Sequence, residues 1–155
     1  MENIIFSKEK TLIGKEYLIN NIEQEKLNIK DLWSSFMELL PNKFIETYGV
    51  STNYNVETGA FTYILAIEKD SDNQYLIESF AFKEYKLPES KYCKFIHKGK
   101  ITPESIANLY DRSFAEIMKN HNQNTSTNIF AYELYDRNYM GDIEESEFYL
   151  LIPII

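Results

Sequence analysis

The sequence predicts an α+β fold of two pseudo-symmetric strand-helix-strand-strand units with a ligand cleft at their junction, and three observations carry that expectation. Two segments place apolar residues at helical spacing, six have strand character, and together they run in the same order twice. Aromatic residues recur at similar offsets between the two series: Trp33 with Tyr110, Tyr54 with Tyr135, and Tyr63 with Phe148. Residue identity between the series is low, so the repeat is one of architecture.

The first strand candidate is "LIGKEYLI". The helix after it, "NIKDLWSSFMELLPNKF", aligns Ile29, Leu32, Trp33, Phe36, Leu39 and Leu40 on one stripe, with Asn28 placed to cap it and Pro41 to stop it. Two strands, "YGVSTNYN" and "FTYILAIE", follow around the turn "VETGA" with Gly59. After the polar break "KDSDNQ" the order repeats. The strand "SKYCKFIHKG" leads to the helix "TPESIANLYDRSFAEIMKN", which has a Thr102 cap, Pro103 in its first turn, and Ile106, Leu109, Tyr110, Phe114 and Ile117 on one face. The strands "IFAYELYD" and "EFYLLIPI" close the series. Both helices read as core helices, because their polar faces are mixed rather than strongly basic.

At 155 residues with 44% hydrophobic and 26% charged residues, the chain reads as one globular domain over 1–155, its halves spanning about 1–72 and 73–155. No run approaches the ~18 apolar residues of a membrane span, and the start "MENIIFSKEK" lacks the features of a secretory signal. The one cysteine, Cys93, has no internal disulfide partner and reads as a small core residue, so a cytoplasmic location is expected. A net charge of −8 repels nucleic-acid phosphates and anionic lipid while attracting cations, and no Lys- and Arg-rich recognition helix is present. Direct DNA binding and membrane partners are therefore not expected. His97 and His121 lie in "FIHKGK" and "KNHNQN" without a second ligand at metal spacing, so they read as loop histidines and neither a metal nor another cofactor is implied. The 12 Tyr and 10 Phe, in contrast, suit a pocket or an interface that is apolar in body and polar at its tips.

One stretch, "NIFAYELYDRN", puts Glu133 inside an aromatic strand. Period-two alternation sets Ala131, Glu133 and Tyr135 on one face and Phe130, Tyr132 and Leu134 on the other. On an isolated strand Glu133 would be an ordinary solvated residue. In a two-unit fold the same face lines the junction, and the last strand is expected to add Glu147, Tyr149 and Leu151 beside it.

Two stretches, "LPESKYCKFIHKGKITPESIANLYDRSF" and "FAYELYDRNYMGDIEESEFYLLIPI", resemble the GyrI-like, or AraC-type effector-binding, domain family. They match its strand ending in a His/Lys-Gly turn, its helix, its "E-x-Y-D" strand and its terminal "SE…Y-x-IP" strand. The "LW" of the first helix extends the likeness to nearly the whole chain. The resemblance implies a pseudo-twofold fold that binds bulky, often cationic and aromatic compounds through a buried glutamate among aromatic rings. The family glutamate falls on Glu133, the second acidic position on Glu147, the ring two residues beyond it on Tyr149, and the second helix's aromatic on Tyr110. Trp33, Tyr54 and Tyr135 complete the expected ligand-binding set. Many members carry a DNA-binding helix-turn-helix ahead of this domain; here the first strand follows closely on Met1, as in the stand-alone multidrug-binding form. Where relatives end the second helix in a Trp-containing loop, this chain has the polar "AEIMKNHNQNTSTN".

The leading expectation is thus a sensor or sequestering module for lipophilic cationic small molecules. Two other classes follow from the same resemblance. One is a small-molecule hydrolase using the pocket glutamate as general base, which needs a raised pKa and a water within reach. The other is a gyrase-inhibitor-like protein binder, which the acidic charge would suit. No nucleophile or triad pattern in the chain supports the enzyme independently.

Overall fold

The computed structural model describes residues 3–20, 22–41 and 45–155, with residues 22–28 given by their backbone alone. The elements run β1 (Asn3–Ser7), β2 (Lys10–Ile19), α1 (Ile22–Leu39), β3 (Thr47–Thr52), β4 (Phe61–Glu68), α2 (Leu76–Phe80), β5 (Lys83–Leu87), β6 (Ser90–Lys98), α3 (Pro103–Asn120), a 3-10 turn (Thr125–Thr127), β7 (Ile129–Tyr135) and β8 (Glu147–Ile154). The strands form one antiparallel sheet in the order β1-β6-β8-β7-β3-β4-β2-β5.

That order is symmetric about the central β7–β3 pair. The unit β2-α1-β3-β4 recurs as β6-α3-β7-β8, and each unit's leading strand crosses to the other: β1 pairs with β6, and β5 pairs with β2. The spacing agrees, since β1 and β2 open at Asn3 and Lys10 while β5 and β6 open at Lys83 and Ser90. Tyr63 and Phe148 are equivalent, as expected: Tyr63 pairs with Tyr17 on β2, and Phe148 with His97 at the matching place on β6. The other two offsets are corrected. The bounds of α1 and α3 bring Trp33 onto Phe114, one turn past Tyr110. Tyr54 lies beyond the end of β3, where Asn53 takes a left-handed φ of 55°, whereas Tyr135 lies within β7 opposite Thr47.

All three helices lie on one face of the sheet. Phe36, with the partly buried Ile29, Leu32 and Trp33, sets α1 over Ile13, Tyr63, Leu65 and Ile67, where Leu76 of α2 joins the same cluster. Leu109 and Ile117, flanked by Ile106, Tyr110 and Phe114, set α3 over Phe95, Ala131, Phe148, Leu150 and Ile152. Burying such stripes is what holds helices this long in place. The opposite face has its own core of Leu12, Tyr48, Val50, Ile64, Tyr92, Tyr132, Tyr149 and Leu151, with no helix residue in it. That face is buried because the sheet curves over itself.

Local chemistry fixes the helix ends. Thr102 accepts from the Ser105 N–H at 3.0 Å and Ser105 returns the bond to the Thr102 N–H at 2.9 Å, a capping box with Pro103 in the first turn. Helix α1 stops before Pro41 as expected but begins at Ile22, so Asn28 lies inside it rather than at its cap. The preceding "IEQEKL" lacks an apolar stripe yet consists of good helix formers. Strands β1 and β5 and helix α2 were not expected. They are short, and the edge strands expose most of their side chains.

Candidate functional site

Glu133 sits on the helix-facing side of β7, midway between α1 and α3, and is 7% exposed. Its Oε1 accepts hydrogen bonds from the Tyr63 hydroxyl at 2.8 Å and the Tyr135 hydroxyl at 3.0 Å, and its Oε2 from the Tyr110 hydroxyl at 2.6 Å. Trp33 Nε1 donates to the Tyr63 oxygen at 3.0 Å, extending the network onto α1. Four elements therefore converge on one carboxylate: β4, β7, α1 and α3. Among the described residues no cationic side chain pairs with it.

Burial pushes the Glu133 pKa up, and the hydrogen bonds from Tyr110, Tyr63 and Tyr135 oppose that rise. The three phenols are driven well above the ordinary tyrosine range, first by burial and then by the carboxylate beside them. They are protonated donors at neutral pH. In its ionised form the carboxylate is held by neutral dipoles in an apolar shell, an arrangement that favours an arriving positive charge.

Rings surround the cluster. Trp33 meets Tyr135 edge-on at 5.0 Å, and Tyr135 stacks on Phe148 at 4.8 Å. On the other side Tyr110 leads through Phe114 to Phe130, which stacks on Tyr54 at 4.6 Å. Phe130 was expected with Tyr132 and Leu134, but the register shift between β3 and β7 at Ser51/Thr52 turns it to the helix face, against Phe114.

Of the expected ligand-binding residues, Glu133, Tyr135, Tyr110 and Trp33 come together. Tyr54 is 43% exposed and reaches the cluster only through other rings, by Phe130 and Phe114 toward Tyr110 and by Phe61 toward Tyr63. Glu147 and Tyr149 do not share the face of Glu133. Glu133 is paired with Leu150, so Phe148 and Leu150 point toward the helices while Glu147, Tyr149 and Leu151 point away. Glu147 instead faces Lys98 at 3.8 Å, and Tyr149 accepts from Asn138 at 2.9 Å with the Lys94 ammonium 4.0 Å from its ring centroid.

Two contributors were missed. Tyr63 was noted only for its offset, and Gly49 carried no signal at all. Gly49 lies directly opposite Glu133, and a Cβ there would come within 2.5 Å of the Tyr63 hydroxyl, 3.0 Å of Trp33 Cζ2 and 3.1 Å of Glu133 Oε1. The absent side chain is the space in which the cluster assembles. His97, read as a loop residue, is buried on β6 at 5% exposure, with Nε2 2.9 Å from Ser105 Oγ and its ring stacked on Phe148 at 4.7 Å. Burial and then Arg112 hold its pKa down. His121 caps the end of α3 through its N–H to the Ile117 carbonyl, and Cys93 is buried in the core under α3, as expected.

This pseudo-twofold sheet with paired helices is the fold of effector-binding domains. The structure of SAV2435 bound to tetraphenylphosphonium matches with a TM-score of 0.74 at 18% identity over 100% of this chain and 94% of that one. The integron cassette protein from the mobile metagenome of Vibrio cholerae matches with a TM-score of 0.71 at 22% identity over 99% and 95%. The EcmrR C-terminal domain matches with 0.63 at 12% identity over 100% and 97%. The family model Cass2, integron-associated effector binding protein, covers residues 3–154, and the chain belongs to this GyrI-like family. No curated protein sequence matches it. Among the described residues no helix is long and apolar enough to cross a membrane.

Proposed function

We propose that the protein binds bulky lipophilic cations bearing aromatic groups at Glu133, as a sensor or a sequestering module for them. One observation carries this reading: a buried carboxylate held by three phenol donors, with no cationic side chain among the described residues to neutralise it. A unit charge 4 Å away contributes about 4 kcal/mol at an effective dielectric of 20. Desolvated aromatic faces add ~0.5–2 kcal/mol each. Trp33 and Tyr110 ride on different helices, so separating α1 from α3 widens the space between them without breaking the sheet. Micromolar affinity, about −8 kcal/mol, suits a site that selects charge and flatness over one outline. The tetraphenylphosphonium carried by SAV2435 has this chemistry and makes a suitable probe.

Trp33 is the only tryptophan, so its fluorescence reports the site directly. Titration with tetraphenylphosphonium is expected to give saturable quenching, while neutral triphenylphosphine oxide does much less. In Glu133→Gln the cation should bind at least ~tenfold more weakly. Equal affinities for parent and variant would remove Glu133 from the binding role.

A further inference from the structure

The outer edge of β2 is longer than the strand that covers it. Strand β5 pairs with β2 only from Lys10 to Gly14 and begins at Lys83, after Phe82 has turned onto the Phe36 ring with centroids 5.5 Å apart. The Thr11 carbonyl accepts from the Lys69 N–H, so odd-numbered residues of β2 bond toward β4 and even-numbered ones toward β5. The N–H and C=O groups of Glu16 and Leu18 therefore point past the end of β5, where no described group pairs with them. An open groove of about 620 Å³ runs beside them, between residues 16–19 and Asp31, Leu32 and Ser35 of α1. Glu16, Leu18, Asp31 and Ser35 are all exposed, so the groove is open to solvent.

The second half has the same overhang and seals it. Strand β1 begins at Asn3 opposite Lys94, which leaves Ile96 uncovered, and Arg112 of α3 donates to the Ile96 carbonyl at 2.7 Å. The helix bounds that match Trp33 with Phe114 match Asp31 with Arg112, and the pairings that match Tyr17 with His97 match Glu16 with Ile96. A carboxylate has no proton to give a carbonyl at neutral pH, so where one half carries its own guanidinium the other carries an acid. Lys83 engages Glu16 at 3.2 Å, and among the described residues Asp31 has no cationic partner. An open strand edge accepts an extended chain, and the free carboxylate beside this one selects a cation on it.

We propose that this groove is a peptide-binding edge, at which an extended segment carrying an arginine adds as a strand antiparallel to β2 on the line of β5. The segment's residues opposite Glu16 and Leu18 exchange backbone hydrogen bonds with them. The residue between these two, opposite Tyr17, turns its side chain toward α1, where Asp31 meets the guanidinium. Leu18, 64% exposed on the other face, gives an apolar neighbour to the side chain across from it. The groove shares no residue with the Glu133 cluster, so peptide binding does not depend on the binding of cations there.

The probe is a capped pentapeptide of threonine, valine, arginine, valine and threonine, titrated into the intact chain and followed by amide NMR shifts and hydrogen exchange. Shifts and slowed exchange are expected at the Glu16 and Leu18 amides. Asp31→Arg, which copies the second half by supplying a guanidinium from α1, is expected to weaken the peptide about tenfold or more. Norleucine in place of the peptide's arginine is expected to weaken it about threefold on the parent chain, and to make no difference on Asp31→Asn. Methylating the backbone nitrogens of both valines is expected to abolish binding to the parent chain, a result that decides the matter even where Asp31→Arg disturbs folding. Shifts confined to Trp33, Tyr63, Tyr110 and Tyr135, no shifts at millimolar peptide, undiminished binding of the methylated peptide, or arginine amide binding as tightly as the peptide would each overturn the proposal.

Discussion

Gly49 and Glu133 face each other across the central strand pair and hold equivalent places in the two halves: Gly49 is paired with Leu65 on β4, and Glu133 with Leu150 on β8. One half gives up its side chain where the other carries a buried carboxylate. The surrounding rings divide the same way, with Trp33 and Tyr63 from the first half and Tyr110 and Tyr135 from the second. A symmetric backbone thus carries an asymmetric site, and the asymmetry follows from sterics. Two carboxylates at adjoining places on the axis would repel each other and compete for one set of donors.

The first expected effect comes from restoring a side chain at the axis. Gly49→Ala places its Cβ 2.5 Å from the Tyr63 hydroxyl and 3.0 Å from the Trp33 ring, and should cost about 1–3 kcal/mol in denaturant unfolding. Tyr63→Phe in the same chain should return part of that loss, because it removes the nearest atom. If the two changes simply add, the contact does not control the cluster.

Next comes the distinction between the two faces of β8 and β7. Tyr110→Phe deletes a charge-assisted hydrogen bond and is expected to cost about 1.5–3 kcal/mol at neutral pH, whereas Tyr149→Phe loses only the Asn138 bond, worth about 1 kcal/mol. Cation affinity should respond to the first change and ignore the second. An equal response to both would put Tyr149 back beside Glu133, against the register.

The smallest effect is a slope with pH. The folded-state pKa of Glu133 lies above the ordinary value of 4.5, so between the two the native chain holds a proton that the unfolded chain has released. The stability contributed by this group is full below 4.5, falls as the pH rises through the folded pKa, and is flat above it. Glu133→Gln should lack that decline when the two stability curves are subtracted. Cation binding should run the opposite way in pH, weakening as acid protonates the carboxylate, with protons released on binding at mildly acid pH. An affinity independent of pH from 7 to about 5 would mean that Glu133 is solvated.

Much of this architecture is legible in the sequence because it rests on local rules. Apolar stripes made α1 and α3 recognisable, the Thr102 and Pro103 pair located one helix start, and alternation identified the six longer strands. A charged residue among strand aromatics pointed to Glu133, and the helix stripes carried Trp33 and Tyr110 toward it. Short edge strands gave no such signal: β5, "KEYKL", is mostly charged, and β1 is five residues long.

What the tertiary structure alone decided is which elements meet and which way they face. The exchange of β1 and β5 between the halves depends on pairings between residues far apart in the chain, which local patterns do not encode. The face of Tyr149 depends on the register of β8 against β7, and a one-residue difference reverses every side chain on a strand. Phe130 changed sides at a bulge for the same reason. Gly49 was invisible because its part in the site is a volume it leaves empty, and only the packed neighbours Tyr63, Trp33 and Glu133 define that volume. The sequence determined the periodicities, the charge and the carboxylate; long-range pairing determined the company that carboxylate keeps.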